Sequence, residues 1–223
     1  MRRTSSSPHD KMRRLRALVC DGSHEAAARA RGAMRIAGVD EVGRGAWFGP
    51  VVAAAVILPP DVQIEGLRDS KQLSAQRREQ LDAIIRSQAA AVGVGHADAA
   101  TIDAINIRRA THQAMLAAIA ALHPQPDFLL IDAEQIDTPC AQQNILHGDA
   151  VSISIAAASI VAKVYRDAWM RELDRIYPHY GLAAHKGYGV AAHRRALLEH
   201  GPCPLHRISY APVRATMREP ISR

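Results

Sequence analysis

The hydrophobic pattern begins with Ile36-Ala37-Gly38-Val39, an apolar run that stops at two adjacent carboxylates, Asp40 and Glu41. Apolar residues leading into an acid pair read as a buried strand that delivers charge to its open end. Phe48-Gly49-Pro50 reads as a turn, and Val51 to Leu58 is apolar on both faces, as a central strand is. Pro59-Pro60 ends that run, and Asp69 to Ser74 forms a polar loop whose Ser74 caps a helix reaching Ser87. Ala91 to Ala97 reads as a third strand. From Asp98 the spacing predicts one long helix to Leu122, with Ile102, Ile105, Ala110, Met115, Ile119 and Leu122 toward the core. His123-Pro124-Gln125-Pro126 breaks it.

Phe128 to Ile131 is a short buried strand that ends in Asp132, which repeats the opening pattern. A second long helix is expected from Ser154 to Tyr177. Its first half is rich in small residues and can pack closely on a sheet. Its second half places Tyr165, Trp169, Leu173 and Ile176 at helical spacing, and the aromatics there read as core rather than ligand contacts. Pro178 stops the helix. The loop Tyr180 to Gly189, a short helix to His200 and a Pro- and Arg-rich tail follow. No internal repeat and no zinc spacing interrupts this order.

Composition narrows the class. A chain of 223 residues suits one domain of ordinary core size, and no apolar run has the length of a membrane span. Cys20, Cys140 and Cys203 are scattered and odd in number, which fits a reducing cytoplasm and neither a zinc site nor a disulfide framework. Charge is unevenly spread. Residues 1–35 hold nine Lys/Arg against three acids, residues 36–162 eight against fourteen, and residues 163–223 eleven against five. An acidic centre can gather cations while basic flanks meet phosphates. Residues 1–34 read as a basic arm without fixed structure, 35–215 as the folded domain and 216–223 as a flexible tail. The Arg- and Ser-rich start also has the look of an organellar transit peptide, against which Asp10, Asp21 and Glu25 argue.

The acids carry the candidate chemistry. Asp40, Glu41, Asp132 and Asp149 fall at the ends or edges of the predicted elements. Carboxylates alone select hard cations, Mg²⁺, Mn²⁺ or Ca²⁺, over Zn²⁺. A pair of such ions serves phosphodiester hydrolysis. Asp149, before a helix, reads equally as a cap. Gly43-Arg44-Gly45 lets backbone N–H groups approach a ligand. Lys186-Gly187-Tyr188-Gly189 reads either as an ordinary loop or as a cation for phosphate beside a phenol for a ribose 2′-OH. His206-Arg207 offers a further weak backbone contact.

Together these segments resemble ribonuclease HII, the type 2 ribonuclease H family, over residues 36 to 213. The resemblance rests on Gly38 to Gly45, Gly49 to Val56, Asp69 to Ser74, Ile102 to Ile107, Leu130-Ile131-Asp132, Gly148-Asp149-Ala150, Ile155 to Lys163, Arg166-Asp167, Tyr180-Gly181, His185 to Gly189 and His206-Arg207. It implies an α/β fold, an RNase H-like mixed β-sheet flanked by helices, with a helical C-terminal extension. It implies cleavage of the RNA strand of RNA–DNA hybrids and incision 5′ of ribonucleotides embedded in duplex DNA, leaving 5′-phosphate and 3′-hydroxyl ends.

By the same resemblance Asp40, Glu41, Asp132 and Asp149 are the catalytic acids, holding two Mn²⁺ or Mg²⁺ ions. It also implies that Gly43, Arg44, Gly45 and Tyr188 bind substrate, with Tyr188 sensing the 2′-OH; Lys71 and Lys186 are further candidate substrate contacts. Asp167 is a structural acid pairing with a neighbour. A monomer is expected. Ala46-Trp47-Phe48, Ala133 and Val190 depart from the family pattern, and the first of these leaves open a different contact with the duplex. A DNA-directed nuclease or resolvase on the same fold, or an inactive nucleic-acid-binding module, are the alternatives.

Overall fold

The computed structural model describes residues 20–68 and 70–217. Most of the basic arm, Asp69 of the polar loop and residues 218–223 of the tail lie outside them. Five strands form one mixed sheet: β1 (Ile36–Val42), β2 (Val51–Ile57), β3 (Ala91–Ala97), β4 (Phe128–Asp132) and β5 (Ala141–Ile145), in the order β3-β2-β1-β4-β5. β1 and β2 are antiparallel, as are β2 and β3, while β1–β4 and β4–β5 are parallel. The mixed sheet flanked by helices is the expected fold. β2 is buried at every position, as its unbroken apolar run requires.

The helices are α1 (Ser23–Ala30), α2 (Ala75–Gln88), α3 (Ala99–Ile105), α4 (Ile107–Ala120), α5 (Gly148–Val151), α6 (Ile153–Ile176), α7 (Leu182–His185), α8 (Ala191–His200) and α9 (Ala211–Thr216). Side chains alternate across the sheet. Ala37, Val39, Ala53, Ala55, Leu129 and Ile131 face α3 and α4, where they meet Ile102, Ala114, Met115 and Ala118. Ala54 and Val56 face α2 and α6, against Leu81, Ile85, Ala157, Ala158 and Val161. The small residues of α6 let it lie directly on β1: a Cβ on Gly38 would sit 2.0 Å from the Ser154 carbonyl carbon. Only glycine fits there.

Three local expectations are corrected, and one strand, β5, was not foreseen. The long helix from Asp98 is two helices, because Asn106 takes φ 71 and its side chain accepts from Arg109 N at 3.1 Å, ending α3 and capping α4 in one residue. β5 carries no apolar alternation, only Ile145 being buried, and is held by its ladder to β4. On α6, Trp169 and Leu173 pack around Phe48 and Met170, but Tyr165 and Ile176 are 40% and 65% exposed. Residues 23–30 of the arm form α1, with Ala28 packed against Ile36, Leu130 and Ile155. Ser74 does cap α2, accepting from Arg77 N at 3.2 Å. Among the described residues no helix is long and apolar enough to cross a membrane.

Candidate active site

The acids are brought together by register. β1 and β4 run parallel with Val39 opposite Ile131, so the next residues along are Asp40 and Asp132. Both follow Gly38 and Leu130 in the two-residue alternation and so lie on the α6 side of the sheet. Asp132 Oδ1 accepts from Gly148 N at 2.7 Å, which draws α5, and with it Asp149, to the end of β4. Asp149 is not the N-cap of α5, a position His147 takes at φ 57, but a buried acid in the first turn. Its Oδ2 meets Lys71 Nζ at 2.9 Å. Glu41, one residue past Asp40, emerges on the opposite face. There it meets Arg44 at 3.4 Å.

The electrostatics are those of acids crowded together. Burial, then the neighbouring Glu41 and Asp132, push the Asp40 carboxyl well above the usual carboxylate range, and a hydrogen bond from Ser159 only partly opposes this. Burial raises Glu41 as well, against the pull of Arg44. Asp132 is raised by burial and by Asp149, and held down in part by the Gly148 N–H and Lys71. Glu41 Oε2 is buried with no hydrogen-bond partner among the described residues. A buried charge that lacks a partner is costly, and a divalent cation relieves both the desolvation and the mutual repulsion.

The donor set, carboxylate oxygens only, fits Mg²⁺ or Mn²⁺. Among the described residues no three acids, histidines or cysteines stand as a finished metal cage. The oxygens are turned instead to internal donors: Asp40 to Glu41 N at 2.7 Å, Asp132 to Gly148 N and Asp149 to Lys71.

The glycine-arginine-glycine turn forms the neighbouring wall. Gly43 has φ 92 and is pressed so closely on α6 that a Cβ would lie 2.3 Å from Arg166 Nε. The Lys186 loop is zipped to it: Ala46 bridges Tyr188, and Trp47 N donates to Gly187 O at 2.8 Å. Two fully buried arginines hold the junction. Arg166 donates to the carbonyls of Pro50, Phe48 and Lys186, at 3.0, 3.1 and 2.9 Å. Arg207 donates to Gly49 O and Arg44 O, at 3.0 and 2.9 Å, and Tyr210 OH also donates to Arg44 O. Gly45 is exposed at the tip of the turn. The half-buried Tyr188 ring lies 5.6 Å from the Arg166 guanidinium, and its hydroxyl makes no hydrogen bond among the described residues.

Several sequence-level readings change. His206 and Arg207 are buried and bind the protein's own backbone, so they cannot meet a phosphate. Phe48 is fully buried against His206, Tyr177 and Tyr180, which removes it from any duplex contact. The Arg44 guanidinium is tied to Glu134 at 2.8 Å, and Lys186 Nζ donates to Ala183 O. Asp167 pairs with Lys163 at 2.7 Å, as a structural acid does. Sequence reasoning missed Glu134, which also meets His112 at 3.2 Å and Arg108 at 3.5 Å. It also missed Ser159 and Ser70, whose hydroxyls lie 2.9 Å apart behind Asp40. These partners are distant in the chain, and no local spacing marks them.

Comparison with known proteins bears on the family and the fold. The profile of the family described as Ribonuclease HII matches residues 37–213. Curated relatives include Ribonuclease HII of Koribacter versatilis, 55% identical over 91% of this chain and 80% of its own length. Ribonuclease HII of Halorhodospira halophila is 54% identical over 82% of this chain and 95% of its own. Among solved structures, the ribonuclease H2 of Pyrococcus horikoshii OT3 aligns with a TM-score of 0.70 at 24% identity, covering 82% of this chain and 97% of that one. Bst-RNase HIII in complex with Mn²⁺ aligns at 0.64 and 23% identity, covering 86% and 71%. At those identities the structural likeness speaks for the fold. With a family profile spanning most of the chain and relatives above half identity, this chain belongs to the ribonuclease HII family.

Proposed function

We propose that this ribonuclease cleaves the RNA strand of RNA–DNA hybrids, and incises 5′ of ribonucleotides embedded in duplex DNA, with Asp40, Glu41, Asp132 and Asp149 as its catalytic acids. The observation that carries the reading is the convergence of Asp40, Asp132 and Asp149 on one sheet face, with carboxyls that repel one another in the absence of a cation. These three, with Glu41, would hold two Mn²⁺ or Mg²⁺ ions. When bound, such ions activate water and offset the charge that develops on the phosphate and the leaving 3′-oxygen.

The chain's own residues do the rest. Ser159, buried behind Asp40, orients its carboxylate. The Gly148 N–H holds Asp132 and the Lys71 ammonium stands at Asp149, near enough to meet a phosphate. Gly43 to Gly45 and Tyr188 form one joined rim beside the acids. Exposed backbone at Gly45 and the Tyr188 phenol can read a 2′-OH, the group that separates ribose from deoxyribose. Lys186 sits on the same loop, at φ 54, as a lesser contact. The enzyme is read as a cytoplasmic monomer.

One assay tests this. A duplex with a single ribonucleotide, its all-DNA counterpart and an RNA–DNA hybrid are incubated with Mn²⁺, Mg²⁺ or EDTA. Incision 5′ of the ribonucleotide and within the hybrid, only with metal, is the expected result. Cutting of the all-DNA duplex would indicate a DNA-directed nuclease, and no cutting at all a binding module.

A further inference from the structure

Glu25 lies in α1, outside the stretch matched by the family profile, yet it is only 3% exposed. Its Oε1 accepts from Ser152 Oγ at 2.5 Å, Ser154 Oγ at 2.5 Å and Ser154 N at 3.0 Å. Its Oε2 is buried with no partner among the described residues. Burying an acid on a short surface helix is unfavourable unless its contacts return the cost. Here they lie at the junction that carries Asp149.

Ser152 is the N-cap of α6, its Oγ accepting from Ile155 N at 3.2 Å. The hydroxyl therefore has its hydrogen to give to Glu25, which accepts from both serines. The carboxylate also lies at the positive end of a 24-residue helix, where a negative charge is favoured.

Asp149 sits in α5, only four residues long. A helix that short has no cooperative stability of its own, so its end anchors set its position. At one end Gly148 N donates to Asp132 Oδ1 at 2.7 Å, and at the other Ser152 N donates to Gly148 O at 2.9 Å. Glu25 grips Ser152. We infer that Glu25 is a positioning residue for Asp149, holding the α5–α6 junction so that this carboxylate reaches the metal site. The inference rests on the reading of Asp149 as a metal-holding acid. It makes α1 part of the working enzyme.

The test is Mn²⁺ affinity of the full chain, measured by electron paramagnetic resonance without nucleic acid, beside hybrid cleavage. Glu25→Ala is expected to weaken Mn²⁺ binding by about 10-fold, the usual loss for an outer partner of a metal ligand. It should lower kcat and leave KM for the hybrid unchanged. Glu25→Gln keeps an acceptor toward the two serines and should recover most of the affinity. Unchanged Mn²⁺ affinity in Glu25→Ala overturns the inference. If that variant does not fold, Ser154→Ala takes its place, with weaker Mn²⁺ binding expected and wild-type affinity overturning it. Asp149→Asn separates the two readings. Unchanged affinity there removes Asp149 from the metal site and the inference with it. Weakened affinity in Asp149→Asn, with none lost in Glu25→Ala, overturns the positioning role alone.

Discussion

Lys71 Nζ and Asp149 Oδ2 lie 2.9 Å apart, a cation already placed where a metal would draw on the same carboxylate. The lysine side chain is 75% exposed, so the ion pair contributes little to stability. It does occupy an oxygen of Asp149 and adds positive charge beside the site. Lys71→Met should therefore tighten Mn²⁺ binding to the free protein by about threefold, on the scale of a partly screened charge pair. Cleavage should fall, because a cation for phosphate is lost. Isothermal titration of metal and steady-state kinetics check the two halves, and weaker metal binding would contradict the first.

Asp40 is the acid most strongly raised. A folded-state value above the unfolded one means the unfolded chain loses its proton first, so the metal-free protein loses stability as pH rises from the ordinary carboxylate range toward the raised value. Asp40→Asn removes that cost while keeping an acceptor for Glu41 N and Ser159. It should abolish cleavage, retain hybrid binding and raise Tm at pH 7 in EDTA. Thermal melts with and without Mn²⁺ measure this. A lower Tm in EDTA would show that the carboxylate is stabilising after all.

Tyr188→Phe removes only a hydroxyl. Its backbone bridge to Ala46 is untouched, so the rim stays in place. Incision at a single embedded ribonucleotide should drop by about 10-fold, the loss of one hydrogen bond to a substrate group, while continuous hybrids lose less. Equal rates on both substrates would remove Tyr188 from 2′-OH sensing.

Ala133 follows Asp132 at φ 50, a left-handed conformation that glycine adopts without strain. Ala133→Gly relieves about 1 kcal/mol of backbone strain, offset in part by the greater freedom of glycine in the unfolded chain. Urea unfolding should show a gain of a few tenths of a kcal/mol or more. A clear loss would mean the Ala133 methyl packs usefully.

His193 and His206 meet Nε2 to Nε2 at 3.1 Å. Cys203 N donates to His206 Nδ1 at 3.0 Å, so the His206 proton lies on Nε2, and His193 is left to donate from Nδ1 to Tyr188 O at 3.1 Å. Burial pushes His206 down to about 3 and His193 down to about 4. Both stay neutral in the fold while the unfolded chain takes up protons below 6.5. Stability should be full above that value and fall as pH drops toward 4, loosening the loop that carries Tyr188. Urea midpoints at pH 7.5 and pH 5 measure the fall. His206→Gln should flatten it, and an unchanged slope would exclude the pair.

Much of the candidate acidic face was legible in the chain. Ile36 to Glu41 and Phe128 to Asp132 are apolar runs that stop at acids, and burial alone makes such runs strands with charged ends. Asp149 was legible as an acid beside a helix but not as a buried one, since its burial depends on Asp132 capturing Gly148 N. The break at Asn106 escaped because one residue at positive φ leaves the helical spacing on either side intact. β5 escaped because an edge strand held by its ladder needs no apolar alternation.

By itself, then, the sequence determined most of the strands and helices, the candidate acids for a hard cation and the family. Those depend on local periodicity and side-chain chemistry, which the chain carries at each position. Tertiary structure decided which charges face solvent and which are spent inside. His206 and Arg207 looked like contacts for a nucleic-acid backbone, but are consumed by carbonyls or by another imidazole, as the buried Arg166 is by carbonyls. Glu25, in a stretch read as a loose arm, is buried at the cap of the helix behind Asp149. Hydrogen-bond partners more than a hundred residues apart, as Glu25 and Ser152 are, become neighbours only when the sheet and α6 have packed.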